Sequence, residues 1–203
     1  MANFTPDESQ LKALATWYPK DNPLHLNPRH PCIKLAGECG ELLDLYAKDE
    51  YKPNFSWWNC KHCGHRDASH SKRRKECITP VISEYTPLVL DELGDISYYL
   101  RILAYIKGVT FEEVREGFRS DWFIGEDDNL AELLLELLSD SNRILEHFLY
   151  DNEISIPYLR DSAYTFLAIL HKLDCSLENL LELNYRKLNT EMQHGWKHAT
   201  IKS

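Results

Sequence analysis

Residues 33–50 read IKLAGECGELLDLYAKDE, and the fold turns on how this stretch is read. Ile33, Leu35, Leu42, Leu45 and Tyr46 recur at helical spacings, which predicts a helix from Pro31 to about Asp49. The same eighteen residues carry five acids, with Glu38, Glu41 and Asp44 each three apart. A spacing of i, i+3 puts Glu38 and Glu41 on one helix face, about 5–6 Å apart at Cβ. Such a stripe either faces water or holds something positive.

The rest of the chain repeats the helical theme. TPLVLDELGDISYYLRILAYIKG, residues 86–108, has an apolar stripe of Leu90, Leu93, Ile96, Leu100 and Leu103. Pro87 suits its first turn and Gly108 its end. A short helix is expected from Asp7 to Trp17, capped within TPDE. Thr110 and Glu113 form a capping box for a helix over 110–118. Three more helices are expected over 128–150, 157–173 and 176–195, the last capped at Ser176 and Asn179. Strand signals are absent outside residues 50–84. The expected fold is all-α: an antiparallel helical bundle with a four-helix core, in one domain over 1–203. Residues 95–114 can be laid on 161–180, so that Asp95 meets Asp161 and Thr110 meets Ser176. That echo makes residues 127–203 a degenerate second helical repeat, one that lacks the paired acids.

The chain has 203 residues and is 43% hydrophobic, enough for one domain with a real core. No apolar run approaches the roughly 18 residues that span a bilayer. The N-terminal MANFTPDESQ is polar and acidic, unlike a secretory signal. A cytoplasmic protein with no membrane partner is expected. A formal net charge of −9 argues against a general nucleic-acid coat.

A second acid pair, Glu92-x-x-Asp95, lies on the 86–108 helix. A lone E-x-x-E is most often a solvated face. Two such pairs on facing helices would bring four carboxylates together, which repel unless a cation joins them. Hard oxygen ligands select Mg²⁺ or Mn²⁺. Gly40 and Gly94 each sit inside a pair, where glycine costs a helix about 1 kcal/mol. That cost makes sense where another helix or a ligand comes close.

LAGECGELLDLYAK followed by LDELGDISYYL resembles the E-x-x-E…E-x-x-D signature of the MazG-like all-α nucleoside triphosphate pyrophosphatases, whose kin include the dimeric dUTPases. His30 and Lys48 stand where phage-type members often carry His and Lys. NYRKLNTEMQHGW resembles the closing N-x-x-K-L segment, making Asn184 and Lys187 the matching polar pair. The family's usual basic residue after K-L and its Tyr-Pro are absent, and Glu41 and Glu92 are 51 positions apart, further than is usual there. The resemblance covers roughly residues 30–49, 86–118 and 184–196. It implies hydrolysis of a (deoxy)nucleoside triphosphate, dGTP or dUTP among the candidates, to the monophosphate and pyrophosphate. Mg²⁺ or Mn²⁺ would be held by Glu38, Glu41, Glu92 and Asp95, and Glu41 or Glu38 would orient the attacking water. Lys34, Lys48 and Lys187 are candidate phosphate contacts. The base pocket stays open among Trp17, Tyr98, Asn27 and Trp122. Oligomeric state stays open too: a duplicated chain closes its own bundle, while exposed helix faces still allow a homo-oligomer.

Residues 50–84 interrupt the helices with CKHCGHRDASHSKRRKEC, residues 60–77. Cys60-x-x-Cys63 is a zinc half-site, and His70 with Cys77 completes a Cys₃His structural zinc. His65 is the alternative fourth ligand. The insertion's expected role is to staple a loop too small for a core. Cys32, Cys39 and Cys175 read as buried thiols. An alternative function is a non-catalytic helical module whose zinc insertion, with Trp57, Trp58 and the KRRK run at 72–75, binds nucleic acid or a protein partner.

Overall fold

A computed structural model describes residues 5–48, 87–118, 130–173 and 175–193. The zinc ligands Cys60, Cys63, His70 and Cys77, the alternative His65, the whole 50–84 insertion and Trp122 lie outside the described residues. Those residues are all-helical: α1 (Glu8–Leu14), α2 (Arg29–Ala47), α3 (Pro87–Lys107), α4 (Phe111–Arg115), α5 (Leu130–Asp151), α6 (Ile156–Lys172) and α7 (Leu177–Gln193).

Local chemistry sets most of these boundaries. Asp7 caps α1, and its Oδ1 accepts from the Gln10 amide at 2.9 Å. Its other oxygen accepts from the Phe111 amide at 2.8 Å and the Glu112 amide at 3.2 Å, so one carboxylate caps α4 as well. Thr110 and Glu113 close the expected capping box. Gly108 ends α3 at φ +79°, with its own N–H on Tyr105 O and the Val109 N–H on Ala104 O. That pair of bonds is a Schellman closure, which needs a left-handed residue. Asn152 ends α5 at φ +54° with the simpler αL closure, its N–H on Phe148 O at 2.8 Å. Ser155 caps α6 and Ser176 Oγ accepts from the Asn179 amide at 3.4 Å.

α2 packs against both α3 and α5, α6 packs on α5, α4 and α3, and α7 and α1 lie on α3. The main core takes Leu35, Cys39 and Leu42 from α2, and Leu93, Ile96, Leu100 and Leu103 from α3. Leu134, Leu137 and Ile144 of α5 and Ala163, Phe166 and Ile169 of α6 complete it. Each fully buried leucine is worth about 1.5–3 kcal/mol. A smaller cluster of Ala13, Trp17, Tyr98, Ile102 and Leu188 seats the N-terminal segment on α3.

Arg101 is buried in that contact, 2% exposed. Its guanidinium donates to Ser97 O at 3.0 Å and to Ser9 O at 2.9 Å. Burial pulls its pKa down to about 10. Gln10 Nε2 answers by donating to Val109 O at 2.9 Å. These bonds fix α1 against α3. No helix among the described residues is long and apolar enough to cross a membrane.

Candidate metal centre

Glu38 lies three residues after Leu35 and four before Leu42, on the flank of the buried face of α2 that packs against α3. Glu38 is buried at 6% exposure, Glu41 is exposed and Glu92 is half-buried. One carboxylate oxygen from each of the three lies within 4.8 Å of the other two. The two helices thus bring together three of the four acids that the spacing picked out. Burial pushes the Glu92 carboxyl up to about 8, reinforced by the charges of Glu38 and Glu41 and by its hydrogen bond to Glu38. Carboxylates this close repel, which disfavours ionising all three together. Lys34 Nζ donates to Glu38 at 3.2 Å from one turn earlier on α2.

Asp95, the fourth acid, faces α7 instead. Asn184 Nδ2 donates to its Oδ1 at 2.9 Å, and Lys187 Nζ donates to its Oδ2 at 3.0 Å. The same ammonium lies 2.6 Å from Asp91. Asp91 escaped the sequence reading. Its i, i+4 relation to Asp95 was the available signal, and only the arrival of Lys187 between the two gives it meaning. The burial that lowers the Lys187 pKa is outweighed by Asp91 and Asp95, which hold it above its ordinary value.

The two glycines part company here. A Cβ on Gly94 would sit 2.9 Å from Asn184 Nδ2 and 3.1 Å from Asn184 Cβ, so α7 approaches α3 through that glycine. Around Gly40 nothing among the described residues lies within 4 Å. Asn184 is itself buried at 4% exposure, and its Oδ1 has no hydrogen-bond partner among the described residues.

Lys48 ion-pairs with Asp44 at the exposed end of α2. An exposed pair of this kind is worth about 0–1 kcal/mol. His30 stands two turns before Glu38, its Nδ1 3.2 Å from the Tyr18 hydroxyl and its ring beside Tyr99 and Trp17. Burial raises the Tyr99 hydroxyl pKa, and the Glu38 charge raises it further, which places this aromatic group within electrostatic reach of the acids. Trp17 and Tyr98 are buried, and Trp17 Nε1 donates to His25 O at 3.0 Å. Asn27 precedes α2, its Oδ1 accepting from the Arg29 amide at 2.9 Å in a local turn. Cys32 and Cys39 are buried, and burial pushes both thiols up to about 12, leaving them unreactive. Cys175 is half-buried.

The donor set of the acid cluster is all carboxylate oxygen, which fits Mg²⁺ or Mn²⁺ better than a soft metal. A cation among the three carboxylates would offset their mutual repulsion. No family model matches the chain, and the searches of curated proteins and of solved structures give no match to it.

Proposed function

We propose that the chain is a Mg²⁺- or Mn²⁺-dependent hydrolase that cleaves a nucleoside triphosphate to the monophosphate and pyrophosphate. The observation that carries this reading is the convergence of Glu38, Glu41 and Glu92 from two packed helices, with Glu92 held protonated among them. In this reading α2, α3, α5 and α6 form the four-helix core, and residues 127–203 are its degenerate half. Where α2 and α3 gather three glutamates, α5 and α6 turn the buried Asp140 onto Thr165 Oγ1 at 3.1 Å. The zinc insertion remains a stapled loop within the same domain.

A divalent ion held by these acids would neutralise triphosphate charge and polarise the α-phosphate. The chain's own groups divide the remaining work. Glu38, buried and tethered by Lys34, is the fixed anchor. Glu41 is exposed, so it is better placed than Glu38 to accept the proton of an attacking water. Glu92 gives up its proton when a cation enters. Lys34 and Lys187 are the cations nearest the acids and the natural contacts for phosphate oxygens. Lys48 lies at the far end of α2 with Asp44 and belongs to this set only at the periphery.

The test is a panel of the common deoxynucleoside triphosphates with dUTP, in Mg²⁺ or Mn²⁺, with pyrophosphate and monophosphate detected separately. Both products from one nucleotide, lost in Glu41→Gln with the fold intact, support the reading. Orthophosphate with a diphosphate would mean that another bond is cut. No turnover of any nucleotide would shift attention to a binding role for the insertion.

A further inference from the structure

The acids on α3 serve two different cations. Glu92 points toward Glu38 and Glu41, whereas Asp91 and Asp95 point toward Lys187. Both oxygens of Asp95 are engaged by α7, one by Asn184 and one by Lys187. The lysine is not a loose surface partner. It is half-buried, and it stands three residues after Asn184, whose side chain is wedged against Gly94. That wedge roots α7, and the ammonium is therefore delivered to one place. A lysine stem is flexible, however, and its head is a compact point charge. It can leave for a stronger anion without moving the helix.

We propose that Lys187 is a tethered cation that holds Asp95 out of the metal centre, so that the chain alone takes one divalent ion, at Glu38, Glu41 and Glu92. An arriving polyphosphate draws the ammonium off Asp91 and Asp95, and only then does Asp95 join the ligand set. The buried Asn184, whose Nδ2 donates to Asp95 at 2.9 Å, holds that carboxylate where it stands while the ammonium is in place. This inference rests on the reading of the three glutamates as a metal site, and it assigns Lys187 a positioning role ahead of any contact with phosphate.

The experiment counts Mn²⁺ bound to the full chain with no nucleotide present, by electron paramagnetic resonance of the free ion. Binding elsewhere on the chain is set by the Glu38→Gln/Glu92→Gln double variant. Above that background the wild type takes one ion, Lys187→Arg takes one, and Lys187→Met takes two. Adding Asp95→Asn to Lys187→Met returns the count to one. Asp95→Asn alone, which leaves Lys187 in place, keeps the first ion at its wild-type affinity. The inference is overturned if the wild type already takes two ions, or if Lys187→Met stays at one with helical content and Tm unchanged. A tenfold or greater loss of affinity in Asp95→Asn alone also overturns it, since Asp95 would then be a ligand from the start. Each of these results leaves the three-glutamate site standing. A wild type that binds no Mn²⁺ above background overturns both.

Discussion

Gly40 and Gly94 look alike in sequence, yet alanine at the two positions should move stability in opposite directions. Replacing a mid-helix glycine by alanine gains about 0.5–1 kcal/mol from the unfolded chain's lost freedom. At Gly40 nothing among the described residues opposes that gain. At Gly94 the new methyl would sit 2.9 Å from Asn184 Nδ2, 3.1 Å from its Cβ and 3.3 Å from its Cγ. The far amide could rotate away, but the Asn184 Cβ cannot move without α7. Overpacking of this kind costs about 1–3 kcal/mol. Displacing the amide also breaks its bond to a carboxylate, worth about 1.5–3 kcal/mol. Gly94→Ala is therefore expected to be destabilised by about 1.5–5.5 kcal/mol net, and Gly40→Ala stabilised by up to about 1. Urea unfolding reads both as shifts of the midpoint at constant slope. A double-mutant cycle with Asn184→Ala should recover more than about 1 kcal/mol of the Gly94 penalty. Equal stabilities for the two alanine variants would refute the close α3–α7 approach.

The remaining expectations concern protons and caps. Burial and the charges of Glu38 and Glu41 raise Glu92 to about 8, above its value in the unfolded chain, so metal-free protein should lose stability as pH rises from about 5 to about 8. Mn²⁺ binding at pH 7 should then release about one proton, read by calorimetry in buffers of different ionisation enthalpy, and Glu92→Gln should abolish the release. Burial pushes Asp7 up, but its hydrogen bonds to Ser9, Gln10, Glu112 and Phe111 outweigh that and lower it. Its contribution is therefore complete above its unfolded pKa and lost as pH falls through the lower folded value, and Asp7→Ala should flatten that acid limb of the stability profile. At neutral pH Asp7→Ala removes caps from two helices and should cost about 1–4 kcal/mol in urea unfolding. Arg101→Met keeps the stem and removes a buried charge that no carboxylate among the described residues pairs with; thermal unfolding should show a change of under about 2 kcal/mol.

Most helices were legible because their signals are local. The period of Leu90, Leu93, Ile96 and Leu100, the box of Thr110 and Glu113, and the stop at Gly108 each operate within one turn. The pairing of Glu38, Glu41 and Glu92 was also legible, since i, i+3 acids on two apolar helices have few faces to occupy. What stayed hidden depends on a third helix. Nothing in DELGD says that Asp95 will meet Asn184 and Lys187 about ninety residues later, or that Asp91 shares that lysine. The tail resemblance singled out Asn184 and Lys187 as contacts for substrate, yet here their partner is a carboxylate of the chain itself. Asp7 as a cap for α4 was equally invisible, because its second oxygen acts across more than a hundred residues.

The division of α3's acids between two cations follows from the geometry of one helix. Glu92 and Asp95 are three residues apart, close enough to share a face but angled about 60° from one another, and Asp91 precedes Asp95 by a full turn. The three span an arc of about 100°, so a helix lying between α2 and α7 can present Glu92 to one neighbour and Asp91 with Asp95 to the other. α2 offers two more carboxylates and one cation, Lys34, already paired with Glu38, so on the proposed reading an exchangeable metal ion completes the balance there. α7 offers Lys187, so on that side the chain supplies its own charge. On the proposed reading, a triphosphate entering between them would meet Lys187 on one side and the metal held by the glutamates on the other. On this account Lys187→Met should raise affinity for free Mn²⁺ while weakening that for the nucleotide. Simple loss of a surface ion pair would produce neither change.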